Sequence, residues 1–196
     1  MMTDEVLEFW FGDALETHPL KNSLKWFIKD PEFDAEISAK FKDSLLQAQA
    51  GELDHWKKTP QGSLAFILLT DQFPRNIFRN QKTSFAFDPL ALQTSKDGLE
   101  RKMDKSLAWV ERIFYYLPFE HSENVQDQEQ SLLLYQNLLR ETPKPYRDHV
   151  EQSYDYAFKH YEIIKQFGRF PHRNEILKRP STPEEIEFLK LPDSSF

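Results

Sequence analysis

The chain has 196 residues, a formal net charge of −7 and no cysteine, which excludes disulfides, thiolate nucleophiles and cysteine-ligated metal centres. An acidic chain without a long basic run argues against a nucleic-acid partner. Its longest apolar run, residues 64–69, is far short of the roughly 20 residues that span a bilayer, and its acidic start lacks a signal-peptide pattern. A single compact cytoplasmic domain of residues 1–196, with no membrane partner, is therefore expected.

Four Val against 23 Leu, and only five Gly, disfavour sheets and glycine-rich nucleotide loops, while 17 Phe suit a core of helices packed on helices. The expected fold is all-α, with eight or nine helices in antiparallel pairs. In chain order, Thr3 can cap a helix carrying Val6, Leu7, Trp10 and Phe11, with Gly12 past its end. A short segment holds Trp26 and Phe27. Asp30-Pro31 reads as a cap followed by a proline at the first helical position. Phe33, Ile37, Phe41, Leu45 and Ala48 then follow at helical spacing up to Gly51. Thr59-Pro60 repeats the signal ahead of residues 64–69, apolar on every side and so a central buried helix, which Pro74 should end or kink.

Asp88-Pro89 opens another helix toward Gly98. The next, from about Ser106, presents Trp109, Ile113 and Tyr116 and should stop near Pro118. Ser122 is the expected cap of a helix bearing Val125, Leu132, Tyr135, Leu138 and Leu139. Val150, Tyr154, Ala157, Tyr161 and Ile164 step by four and three residues before Gly168, and Ser181-Thr182-Pro183-Glu184-Glu185 carries a capping box.

Three segments resist explanation as core or plain surface. Residues 71–79 bring Asp71, Arg75, Asn76 and Arg79 directly after the most apolar helix. Residues 118–123 bring Glu120, His121 and Glu123 to an expected helix start. Residues 167–174 bring Arg169, His172, Arg173 and Asn174 past a helix end. The first and third echo each other, because Phe73-Pro74-Arg75-Asn76 matches Phe170-Pro171-His172-Arg173-Asn174 with one insertion. An old duplication would aim an arginine of each copy at one centre.

Arginine forks bind carboxylate or phosphate bidentately, and imidazoles titrate near neutrality. Arg75, Arg79, Arg169 and Arg173 with His121, His160 and His172 are therefore the candidate lining of an anion pocket. Glu120, Glu123 and Asp71 would position the arginines, and Asp71, Asn76, Glu123 and Asn174 complete the candidate ligand-binding set. The ligand class is an anionic small molecule or the acidic end of a peptide. The alternative is a hydrolase-type enzyme with Glu120 or His121 as general acid–base. A further alternative is a structural protein whose motifs form only internal ion pairs. The metal-ligand spacings of di-iron bundles and zinc proteases are absent, and no metal or cofactor is expected. His160 shares a face with Tyr156, Ile163 and Phe167 and suits a core position equally well.

With these residues in view, the chain resembles an uncharacterised, largely bacterial family catalogued as domain-of-unknown-function family 924. The resemblance rests on Leu7-Glu8-Phe9-Trp10-Phe11-Gly12, residues 71–79, residues 118–123 and residues 169–174, in that order. It implies an all-helical fold of the tetratricopeptide-like superfamily and no established activity. Asn80 and Lys178 stand where the family tends to have Gly, which puts the turn before Arg179, and Arg179 itself as a site residue, in question.

Overall fold

The computed structural model describes residues 3–12, 15, 17–192, 194 and 195. Among them there are helices, turns and loops but no strand, so the all-α expectation holds. Their contacts group into two compact units: residues 1–79 with 83–118, and residues 80–82 with 119–196.

The first unit begins with α1 (Thr3–Phe11), the four-residue α2 (Ser23–Trp26) and α3 (Pro31–Gln49). Asp30 caps α3 by accepting from the Glu32 and Phe33 N–H groups, the arrangement its Asp-Pro start implies. Then come α4 (Pro60–Ile67), α5 (Phe73–Ile77), α6 (Asp88–Glu100) and α7 (Trp109–Glu120), whose last two residues belong to the second unit. Aromatic rings fill the interior. Trp10 and Phe11 meet Phe114 edge-on at 5.5 and 5.4 Å between centroids, and Phe41 meets Phe73 at 4.6 Å. Burying each such side chain contributes roughly 1.5–3 kcal/mol.

Three expectations for this unit fail for physical reasons. Pro74 does not end the helical run that follows the buried helix. Residues 68–72 widen into a π-helical turn, in which the Phe73 N–H donates to the Leu68 carbonyl. The proline then falls in the first turn of α5, where its missing N–H costs little. Pro118 does not stop α7 either. The helix continues to Glu120, and every residue from 110 to 120 is buried, so packing outweighs the local proline penalty of about 3 kcal/mol. Gly98 is not a helix stop: a Cβ there would lie 1.7 Å from the Tyr115 hydroxyl, which is held at 2.7 Å from Ser63 Oγ. The glycine makes room for that ring.

The second unit contains α8 (Val125–Glu141), α9 (Arg147–Phe167), α10 (Asn174–Leu177) and α11 (Pro183–Phe188). α8 and α9 pack as a helical hairpin, with Ile163, Ile164 and Phe170 in its core beside Val125, Phe167 and Phe188. Ser122 is not the cap of α8. Asn124 accepts from the Gln126 and Asp127 N–H groups, and Ser122 Oγ instead donates to Asp127. Gly168 closes α9 at φ 68°, as its position implies. The capping box of α11 is complete, Thr182 and Glu185 each accepting the other's backbone N–H. Among the described residues no helix is long and apolar enough to cross a membrane.

Candidate functional site

In the first unit the π-helical turn sets Asp71 fully inside the protein, where its carboxylate accepts from Gln72 Nε2 at 2.6 Å. Such turns recur at functional sites because they re-aim side chains within a continuous helix. Arg75, one turn on, donates to the Asp71 carbonyl and grips Asp88 with both nitrogens at 3.0 and 3.3 Å. Asp88 is thus the partner of Arg75. It makes no cap hydrogen bond for α6, whose N-cap position is Phe87. Asn76 and Arg79 converge on Asp34: the amide and both guanidinium contacts are 2.7 Å long. Burial works to raise the Asp34 pKa, but the hydrogen bonds from Arg79 and Asn76 outweigh it and hold the carboxyl below its usual range.

The second unit builds a different cluster around Phe170. Its ring lies 5.4 Å from His160 and 5.5 Å from His172, with the Arg173 guanidinium 4.5 Å over its centroid. His121 stands 6.3 Å from His160. His160 is only 5% exposed, and its Nδ1 lies 2.8 Å from the Tyr156 carbonyl and 3.1 Å from Glu120 Oε1. A carbonyl can only accept, so Nδ1 carries the proton and the basic lone pair sits on Nε2. Burial, against the favourable Tyr156 contact, pushes the His160 pKa well below the ordinary histidine value, and the charges of His121, Arg173 and His172 push the same way. Burial likewise brings His172 down to about 4, helped by Arg173 and opposed by Glu123. At neutral pH both imidazoles are uncharged.

A continuous polar chain braces this cluster. Glu123 accepts from the Phe170 N–H at 2.8 Å and from Arg179 at 2.6 and 2.9 Å. Arg179 donates on to Asn174 Oδ1, and the Asn174 amide donates to Glu185 at 3.1 Å. Glu185 closes the chain by accepting both Arg169 nitrogens at 2.6 and 2.8 Å. Those Arg169 hydrogen bonds above all, with the Thr182 N–H and Asn174, take the Glu185 pKa down to about 2. A shallow groove of about 500 Å³ runs beside this ion pair, lined by Gln166, Phe167, Arg169, Thr182, Glu184 and Glu185.

The candidate residues therefore fall in two groups, each described within its own unit. Asp71, Arg75, Asn76 and Arg79 belong to the first; Glu120, His121, Glu123, His160, Arg169, His172, Arg173 and Asn174 belong to the second. Glu120 pairs with His160, forty residues away. Arg75, Arg79 and Arg169 already hold carboxylates. Sequence reasoning missed Asp34 and Asp88 as partners and read Glu185 as a cap alone. Arg179, left in question by the missing glycine, is a central brace, because Lys178 adopts the left-handed backbone itself at φ 55°. Among the described residues no three His, Asp or Glu side chains are grouped to hold a metal ion.

The comparisons agree with this all-helical architecture. A solved structure of a protein of unknown function from Agrobacterium tumefaciens is 37% identical, with 96% of each chain covered and a TM-score of 0.79. No curated protein matches the chain significantly. Neither the family description nor that neighbour carries the tetratricopeptide-like label that the resemblance implied. The family model described as bacterial protein of unknown function, DUF924, matches residues 6–193, and the chain belongs to that family.

Proposed function

We propose that the second unit binds a small carboxylate or phosphate, or the acidic end of a peptide, at the cluster of His121, His160, His172 and Arg173. The observation that carries this reading is the packing of two imidazoles and one guanidinium, those of His160, His172 and Arg173, at 4.5–5.5 Å from the Phe170 ring, with the His121 imidazole 6.3 Å from His160. Burial keeps His160 and His172 neutral; an anion seated beside them supplies the charge that lets them protonate. Binding therefore takes up protons and tightens as the pH falls from 7 toward 5. Arg75, Arg79 and Arg169 serve as internal braces, since each already grips an acid. The chain's charge of −7 disfavours a nucleic acid as the anion.

A thermal-shift titration with phosphate and citrate at pH 5.5 and 8 tests the proposal. A ligand at 100 times its Kd stabilises by about 2.7 kcal/mol. The shift should be larger at pH 5.5, and His172→Asn and His121→Asn should remove it. A shift that survives both variants, or none at either pH, refutes the reading and leaves the structural one.

The Glu120–His160 contact of 3.1 Å favours a second reading, proton-transfer catalysis of the hydrolase type. A carboxylate that orients Nδ1–H leaves Nε2 as the base toward a substrate. Loss of a hydrolytic turnover in Glu120→Gln with unchanged anion binding would select it.

A further inference from the structure

We infer that residues 21–29 form a peripheral docking tip for an anionic membrane surface. Leu24 and Phe27, 79% and 69% exposed, are the two most exposed large apolar side chains among the described residues, and Ile28 beside them is 57% exposed. Lys21, Lys25 and Lys29 interleave with them at intervals of four, and no Asp or Glu lies between residues 17 and 29. This triply cationic stretch belongs to a chain of net charge −7, so the local sign is set against the global one.

The tip is anchored. Trp26, between the exposed residues, is buried against Phe11 and Phe114 at 5.8 and 4.8 Å, and its Nε1–H donates to the Trp10 carbonyl at 2.9 Å. Asn22 donates to the same carbonyl at 3.2 Å. With Trp26 and Asn22 tied to α1, α2 and the two residues after it hold Leu24, Phe27 and Ile28 largely in water, although the Phe27 ring also stacks on Phe114 at 6.1 Å, a standing cost that a binding surface would relieve. Glu5 and Glu8 share a groove with Lys21, and Asp30 follows Lys29 at the start of α3. Lys25 also lies over the Phe33 ring at 5.5 Å.

Charge and size together choose the occupant. Three apolar tips within five residues are too few for a stable contact with a second copy, which draws on about 20–30 residues a side. They suit a bilayer interface, where a few apolar side chains enter the headgroup layer and lysines meet acidic lipids. The expectation of no membrane partner rested on the absence of a spanning segment, a criterion that does not register a peripheral tip.

Co-sedimentation of the full chain with phosphatidylcholine vesicles, with and without phosphatidylserine, tests this inference. The expected result is binding to the phosphatidylserine vesicles only, lost at high salt. Leu24→Ser with Phe27→Ser should reduce it at least about tenfold, and Lys21→Gln with Lys29→Gln roughly thirtyfold. Lys21→Gln with Lys29→Gln, at exposed positions, should leave the melting temperature unchanged, which separates lost docking from lost folding; Leu24→Ser with Phe27→Ser should lower it only slightly, through the Phe27 ring stacked on Phe114 at 6.1 Å. Equal binding to both vesicle types, or to neither, overturns the inference. So does dimerisation in analytical ultracentrifugation that the Leu24/Phe27 variant abolishes, since the tip would then be a copy-to-copy contact. None of these outcomes depends on the histidine cluster.

Discussion

Asp34 in the first unit and Glu185 in the second receive the same three donors. In each case one arginine presents Nε and Nη2, and one asparagine presents its amide. In each case the acid sits in the first turn of a helix that begins with proline, and a left-handed residue follows four positions after the asparagine. Beyond this shared clamp the two regions part. Arg75 pairs with Asp88, whereas its sequence counterpart Arg173 lies over Phe170 among histidines. The echo of Phe-Pro and Arg-Asn thus extends to backbone and donor atoms but fails at the arginine that a duplication would have aimed at one centre. A closed clamp fixes structure. Where the same clamp is wired through Arg179 and Glu123 to buried imidazoles, it braces a group that can change charge.

The largest expected effect exploits that difference. Acidification from pH 7 to 4 should destabilise the second unit. A folded histidine pKa below the unfolded value of 6.5 means that the unfolded state binds the proton first. Stability is therefore full above 6.5 and lost as the pH falls toward about 4. His172 alone contributes roughly 2 kcal/mol after discounting its partial exposure, with His160 acting in the same direction. Asp34 and Glu185 lose their contribution only at lower pH, because their folded pKa values are depressed. Glu111 in the first unit, raised chiefly by burial, works in the opposite sense and favours folding as the pH drops through its range. Hydrogen exchange at pH 7 and 4.5 should show the second unit opening first; equal loss in both would break the comparison.

Asp34→Ala should cost about 2 kcal/mol in urea unfolding, since charged hydrogen bonds from Arg79 and Asn76 vanish together. A loss below about 0.5 kcal/mol would mean that the clamp is merely a surface pair. Glu123→Gln should lower the His172 pKa further, because the Glu123 charge raises it. An upward movement in a histidine NMR titration would contradict the wiring. The smallest effects concern the two left-handed positions. Lys178→Gly should stabilise by about 1 kcal/mol and Asn80→Gly by a few tenths, because asparagine tolerates that conformation better. Equal gains would show that the two turns are not strained differently.

The helix starts were legible because they depend on neighbours in sequence. Asp30-Pro31, Thr59-Pro60 and Thr182-Pro183 cap as read, since the accepting oxygen and the donor N–H lie two or three residues apart. The candidate residues were legible as types for the same reason: arginine, histidine and acid after an apolar helix signal polar groups that need partners. Their partners were not. Asp34 to Arg79, Arg75 to Asp88 and Glu120 to His160 are separated by 13 to 45 positions, and no local pattern chooses among the chain's acids. Prolines 74 and 118 misled for the converse reason: their cost is local, and the packing that offsets it is not.

By itself the sequence determined an all-helical chain, most of its helix starts and the residue types that carry chemistry, since each follows from propensity, capping and composition. The tertiary structure alone decided which acid each arginine holds, which histidine faces Glu120 and where a helix runs through its proline. Those outcomes depend on burial, and burial exists only once distant segments have met.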